Sequence, residues 1–225
     1  MTLDTSRTRA ANPLAERLER LVTRHVAAEE TARDSAHDLA HIRRVAAHAL
    51  DIAAAEGADL ETCLGAAWLH DLVYLPKNHP QAGEAAGRAA ALLGPFCQEA
   101  GLASRAEAIR TAVAEHSFSA GVRPSTLESA VLQDADRLDA IGAIGVARCF
   151  ATGGSFGSAL WHPEDPLGRS GRALDDKRFA LDHFERKLLR LGPAMNTAAG
   201  RALAVAREET MAAFLAALRV ELLGV

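Results

Sequence analysis

Apolar residues recur at helical spacing almost everywhere in this 225-residue chain, and no convincing stretch alternates polar and apolar residues as a half-buried strand would. That period confines the fold to helix packed on helix. Leu14, Leu18, Leu21 and Val22 predict a first helix from about Pro13 to about Glu30. Ser35-Ala36-His37-Asp38 resembles a capping box ahead of a helix that ends near Gly57. Asp59 is placed to cap the next helix. Further helices are predicted from about Gln81 to Leu93, stopping at Gly94-Pro95, and from about Ser104 to Ser117. A cap at Ser125 or Thr126 opens another that reaches about Leu138; Ile141 to Phe150 and Met195 to Leu223 complete the set. The expected fold class is all-α.

One stretch resists this pattern. From Gly153 to Ala173 the chain is rich in glycine and proline and carries Phe156, Trp161 and His162. A loop of about twenty residues inside a compact domain is uncommon and is often functional. Its aromatic content favours a lid over a site rather than a plain surface insertion.

Composition narrows the partners. An apolar fraction of 49% and a charged fraction of 24% fit an ordinary soluble globular protein. A net charge of -4 gives no general electrostatic case for a nucleic-acid polymer or an anionic membrane. Aromatics at 4% weigh against stacking bases along a single strand. Cys63, Cys97 and Cys149 form no CxxC pair and read as small buried thiols of a reducing compartment. The segment MTLDTSRTRAANPLAERLER has no continuous apolar core, and no stretch is long enough to span a bilayer, so a cytoplasmic protein is expected. Oligomerisation stays open.

The chemistry gathers around His70-Asp71, at the end of the apolar run CLGAAWLHDLVYL and ahead of Pro76 and Pro80. Taken alone, such a pair reads as a buried ion pair. Upstream, His37, His41, Arg44 and His48 are spaced 4, 3 and 4, one stripe beside the apolar arc of Ile42, Val45, Ala46, Ala49 and Ala53. Downstream, QDADRLDAIG supplies Asp134, Asp136 and Asp139; Asp136 and Asp139 share a helix face, and spacing does not choose between them as a ligand. Imidazole and carboxylate together hold divalent cations, which turn bound water into a nucleophile near neutral pH. The C-terminal end of a helix, negative in its dipole, suits a cation.

The ordered set His41, His70-Asp71, Asp136 resembles the H…HD…D signature of the HD-domain metal-dependent phosphohydrolases. HDLAHIRRV, WLHDLVYLPKNHPQ, AVAEHSFS, LQDADRLDAIGAIGVARCF and LDDKRFALDHFERKLLRL are similar, in order, to a small stand-alone bacterial subgroup of that superfamily. That subgroup consists mostly of predicted phosphohydrolases and includes a nucleotide pyrophosphohydrolase. The resemblance runs from about residue 12 to 222. It implies an HD-domain helical bundle with a C-terminal helical extension in one domain: a metal-binding core over about 12–150, the lid-like loop 153–173, and C-terminal helices over 175–223. It also implies that His41, His70, Asp71 and Asp136 ligate one divalent cation. Two nitrogens and two carboxylate oxygens suit manganese, magnesium, iron or another first-row metal. His79 and His116 are candidates for a second ion, which the subgroup does not imply.

Substrate contacts need positive charge. Lys77, in the break after His70-Asp71, and Arg44, one turn past His41, are candidate phosphate contacts, with His79 beside them. Asp71 and His116 are candidate catalytic groups, His116 as a proton donor to a leaving oxygen. Asp175, Asp176 and Lys177 read better as the start of a late helix than as catalytic groups. The expected function is hydrolysis of a small phosphorylated substrate, most of all a nucleotide, of pyrophosphohydrolase or phosphatase type. The alternatives are a phosphomonoesterase or cyclic-nucleotide phosphodiesterase, and a non-catalytic, metal-stabilised regulatory module.

Overall fold

The computed structural model describes residues 12–29, 33, 34, 36–76 and 79–224. Helix α1 spans Pro13–Ala27. Asn12 caps it by accepting from the backbone N–H groups of Leu14 and Ala15, and Pro13 fills a position whose N–H has no helical partner. Helix α2, Leu39–Glu56, starts on Asp38, whose carboxylate accepts from the His41 N–H at 2.9 Å, and ends at Gly57 with φ of 76°. Asp38 therefore supplies the cap; Ser35, the first residue of the expected capping box, lies outside the described residues.

Helix α3, Leu60–Leu69, is capped by Asp59 and buried from Thr62 to Leu69. It packs against α1, α2, α5 (Ala106–Glu115) and α6 (Leu127–Asp139). A helix surrounded in this way is apolar all round, which explains its run of uncharged residues. Gly65 permits the close approach to α5: a Cβ there would meet Ile109 Cδ1 at 2.8 Å and Leu102 Cδ1 at 2.9 Å.

Helix α4, Ala85–Ala100, runs straight through Gly94 and Pro95, where a stop was expected. Leu93, Cys97 and Ala100 lie 4 and 3 residues apart and are all buried in the core. The burial of that stripe outweighs the hydrogen bond that Pro95 cannot make. The helix ends at Gly101, at φ of 78°. All three cysteines are buried and none forms a disulfide among the described residues, and burial pushes the Cys63 thiol up to about 12.

Helix α6 starts on the Thr126 cap. Helix α7, Gly142–Ser155, outruns its expected end at Phe150 and takes in Gly153 and Gly154. Beyond it Ala159 bonds to Arg178 O and Ala180 N at 2.9 Å in a single parallel bridge. Both Arg172 terminal nitrogens reach Asp182 at 2.6 Å, and Asp165 accepts from Arg169 N, Ser170 N and Ser170 Oγ. Polar closure of this kind orders a loop without helix or sheet. A π-helical turn, Phe184–Leu188, leads into the short α8, Leu189–Leu191, and α9, Ala198–Leu223, closes the fold against α2, α6 and α7.

Asp134 joins α6 to the start of α9. Its fully buried carboxylate accepts from Asn196 N, Asn196 Nδ2, Thr197 N and Thr197 Oγ1 at 2.7–3.0 Å. Among the described residues no helix is long and apolar enough to cross a membrane.

Candidate metal centre and cavity

Helix α2 carries His41, the end of α3 carries His70 and Asp71, and α6 carries Asp136. His70 is the residue on which α3 ends, so Asp71 leaves the helix and turns back toward its neighbour. The candidate ligand atoms of His41, His70 and Asp71 all lie within 4.8 Å of one another. Asp71 Oδ2 stands 3.5 Å from His70 Nε2 and 3.7 Å from His41 Nε2, and Asp136 Oδ1 stands 3.5 Å from His41 Nε2.

Each imidazole is oriented from behind. His70 Nδ1 donates to Ala67 O and His116 Nδ1 to Val113 O, each at 2.7 Å. A carbonyl only accepts, so Nδ1 carries the proton and Nε2 the lone pair. His41 Nδ1 lies 2.7 Å from Asp139 Oδ2. The His70 Nε2 atom is buried and has no hydrogen-bond partner. An orphaned, inward-facing nitrogen beside two carboxylates fits a resident cation, and the donor set of imidazole and carboxylate fits a first-row divalent metal.

The electrostatics agree. Burial favours the neutral form of His41 and His116, which overrides the pull of Asp139 on His41. Burial alone would raise the Asp71 and Asp136 carboxyls, but attraction to the neighbouring histidine rings in their protonated form holds both below the usual carboxylate range, so the carboxyls ionise before the rings lose their protons. Neutral imidazoles and ionised carboxylates are the forms that bind a cation.

A cavity of about 610 Å³ opens onto this cluster. His37, His41, Asp71, His116 and Asp136 line it from one side of the chain's order, and Asp176, Lys177, His183, Arg186 and Lys187 from the other. A smaller space of about 90 Å³ is lined by Asp136, His183 and Lys187 together. Asp176 ties this basic group down, accepting from His183 Nδ1 at 2.8 Å and pairing with Arg186 Nε at 3.4 Å. Phe118 meets two cations, with Arg137 Cζ 5.4 Å and Lys187 Nζ 5.5 Å from its ring centre.

The structure brings His41, His70, Asp71, Asp136 and His116 together. It does not bring Arg44 and His79 to the cavity lining. Arg44 is turned onto Asp139, with Nε at 2.6 Å and Nη2 at 3.0 Å, and His79 Nδ1 accepts from the Gln81 N–H. In each case a nearby polar partner claims the side chain. Lys77 lies outside the described residues. In the segment expected over the site, Phe156 lines the cavity, Leu160 is exposed and Trp161 packs on the core. Sequence reasoning passed over His183 and Arg186, and marked Lys187 only as one of three lysines in an arginine-rich chain. Their signal was the late block LDDKRFALDHFERKLLRL, whose basic residues fall at no diagnostic spacing.

The family model of the HD domain matches residues 38–141, the span that holds all four candidate ligands and stops short of the basic group. The chain is 33% identical over 201 residues to YpgQ, an uncharacterized protein of Bacillus subtilis strain 168, covering 87% of this chain and 89% of that one. The chain belongs to the HD-domain family. A crystal structure of Bacillus subtilis YpgQ in complex with ADP has a TM-score of 0.69 at 32% identity, covering 93% of this chain and 98% of that one. The structure of an HD-superfamily hydrolase from Bacillus thuringiensis has a TM-score of 0.64 at 30% identity, with 92% and 95% covered. HD membership supports metal-dependent phosphohydrolase chemistry in general, and the His41–His70–Asp71 cluster is a donor set able to hold its divalent ion.

Proposed function

We propose that this HD protein is a divalent-metal-dependent phosphohydrolase whose substrate is a nucleotide. The observation that carries the reading is one cavity lined both by the donor cluster and by Lys177, Arg186 and Lys187. Three carboxylates, Asp71, Asp136 and Asp176, offset those three cations, so a divalent ion leaves the cavity positive and suited to a phosphate chain. Val73, Tyr74, Phe118 and Phe156 add an apolar lining against which a base can rest. The volume falls within the range of about 300–1,000 Å³ usual for small-ligand sites. The ADP bound to YpgQ supports a nucleotide as the ligand.

His41, His70, Asp71 and Asp136 would hold the ion, which when bound lowers the pKa of a water and polarises a phosphoryl oxygen. Lys187, Arg186 and Lys177 bind the phosphate oxygens and offset the charge that builds on them. Asp71 accepts a hydrogen bond from the attacking water and orients it. His116, neutral with its lone pair on Nε2, takes up a proton there and returns it to the leaving oxygen. Phe156 and Phe118 limit access of bulk water.

The test is turnover of a panel of nucleoside mono-, di- and triphosphates, cyclic nucleotides and simple phosphomonoesters, with manganese, magnesium, cobalt or iron supplied. Metal-dependent release of pyrophosphate or orthophosphate from nucleotides is expected. Preference for cyclic nucleotides or simple monoesters, or metal binding without turnover of any compound, would overturn the reading.

A further inference from the structure

We infer that Asp139 is a positioning residue that fixes the ring orientation and tautomer of His41, with Arg44 and Arg148 holding the carboxylate in place. The inference rests on the reading of His41 as a metal ligand. Asp139 is fully buried. Its Oδ1 accepts from Arg44 Nε at 2.6 Å. Its Oδ2 accepts from Arg44 Nη2 at 3.0 Å, Arg148 Nη1 at 2.6 Å and His41 Nδ1 at 2.7 Å. Arg148 Nη1 also bonds to the Asp139 carbonyl at 3.0 Å, which anchors the guanidinium to the helix end.

This geometry leaves His41 one useful state. An ionised carboxylate only accepts, so Nδ1 must carry the proton and Nε2 the lone pair. That Nε2 is the atom 3.5 Å from Asp136 Oδ1 and 3.7 Å from Asp71 Oδ2. Asp136 and Asp139, one turn apart on α6, thus bracket a single imidazole from its two nitrogens. The bracket also separates their roles: both Asp139 oxygens are already engaged by donors, whereas Asp136 Oδ1 faces the cluster.

His41 differs here from its neighbours. His70 and His116 are oriented by carbonyls three residues earlier in their own helices, contacts that form with the helix itself. His41 is oriented by a side chain 98 residues away, and that side chain is held by Arg148 on α7. The readiness of the metal centre therefore depends on the packing of α6 onto α2 and of α7 onto α6.

The experiment uses ¹⁵N-labelled, metal-free full-length protein and reads the His41 ring nitrogens by long-range ¹H–¹⁵N correlation near neutral pH. The expected result is the Nδ1–H tautomer. An Nε2–H tautomer or a doubly protonated ring in the wild type overturns the inference without need of any variant. Manganese affinity measured by titration calorimetry adds the second reading: Asp139→Asn should weaken it by about 10–100-fold, the usual cost of losing such a partner. Arg148→Gln removes one of the two guanidiniums that hold the carboxylate and should weaken affinity by clearly less than Asp139→Asn, because Arg44 still bonds both Asp139 oxygens. Equal affinity losses in the two variants would make the cluster merely structural and overturn the inference. A wild type that binds no divalent cation would contradict the metal-ligand reading itself, an outcome distinct from the wrong tautomer.

Discussion

On the donor side of the cavity, His41, His70 and His116 are each held from behind by a 2.7 Å hydrogen bond, and all three rings are buried. On the basic side, Lys177 is exposed and the Arg186 side chain keeps half its accessible surface, 50%, even while paired with Asp176. The first region is preorganised for a small ion whose ligands must not move. The second is adaptable, as suits a ligand that enters and leaves with each turnover. Behind the donor side, Asp134 bonds α6 to the chain leading into α9.

The comparison is broken most completely from the rigid side. His70→Ala or Asp71→Ala should reduce bound metal to background and abolish turnover, as elemental analysis and a nucleotide assay would show. Full metal content in either variant would mean that the pair does not anchor the ion. Next in size is the anchor behind the donor side. Asp134→Ala strands the N–H groups of Asn196 and Thr197 in the interior and should lower unfolding free energy by about 3 kcal/mol in a denaturant titration. The metal content of the folded fraction should hold, because the ligands sit elsewhere.

The adaptable side should respond more mildly. Lys187→Met is expected to leave bound metal unchanged and to lower kcat/KM by about tenfold, the loss of one charge-assisted contact. A variant that loses metal as well would move Lys187 to the rigid side of the comparison.

The smallest effect concerns His48, which sits behind the donor side on α2 and lies 2.9 Å from Arg207 Nη2. Burial, then the Arg207 charge, pushes its pKa down from 6.5 to about 4. The unfolded chain takes up this proton as pH falls below 6.5, while the folded chain refuses it until about 4. Stability should therefore decline as pH drops from 6.5 to 4 and lose no more on this account below that. His41 and His116 are lowered too and share the trend in metal-free protein. The His48→Gln variant isolates its part: the slope of unfolding free energy against pH should become shallower. An unchanged slope would show that His48 is not coupled to folding.

The legible parts of this fold were those that local chemistry decides. Helical periodicity and the Asp59 and Thr126 caps need only neighbouring residues, and the helices formed there. The run through Pro95 was not legible, because the buried stripe of Leu93, Cys97 and Ala100 competes with a local breaker only once the core exists. The ordering of 156–182 rests on Arg172 meeting Asp182, a pairing with no periodic signature. The site divides in the same way. His70-Asp71 stands out as a dipeptide, and its company with His41 and Asp136 came from the family resemblance. Arg44 lies on the same stripe as His41, but a helix face does not say whether the partner is substrate or Asp139. The basic group from Lys177 to Lys187 reaches the cavity only by tertiary folding, which the sequence spacing does not encode.

The most direct measurement is an anomalous difference map from crystals of the protein grown with manganese. The account predicts one peak, bonded at about 2.0–2.2 Å to His41 Nε2, His70 Nε2 and one oxygen each of Asp71 and Asp136, with Asp139 still on His41 Nδ1. A peak that bonds Asp139 in place of Asp136, or no peak among these four residues, would contradict it.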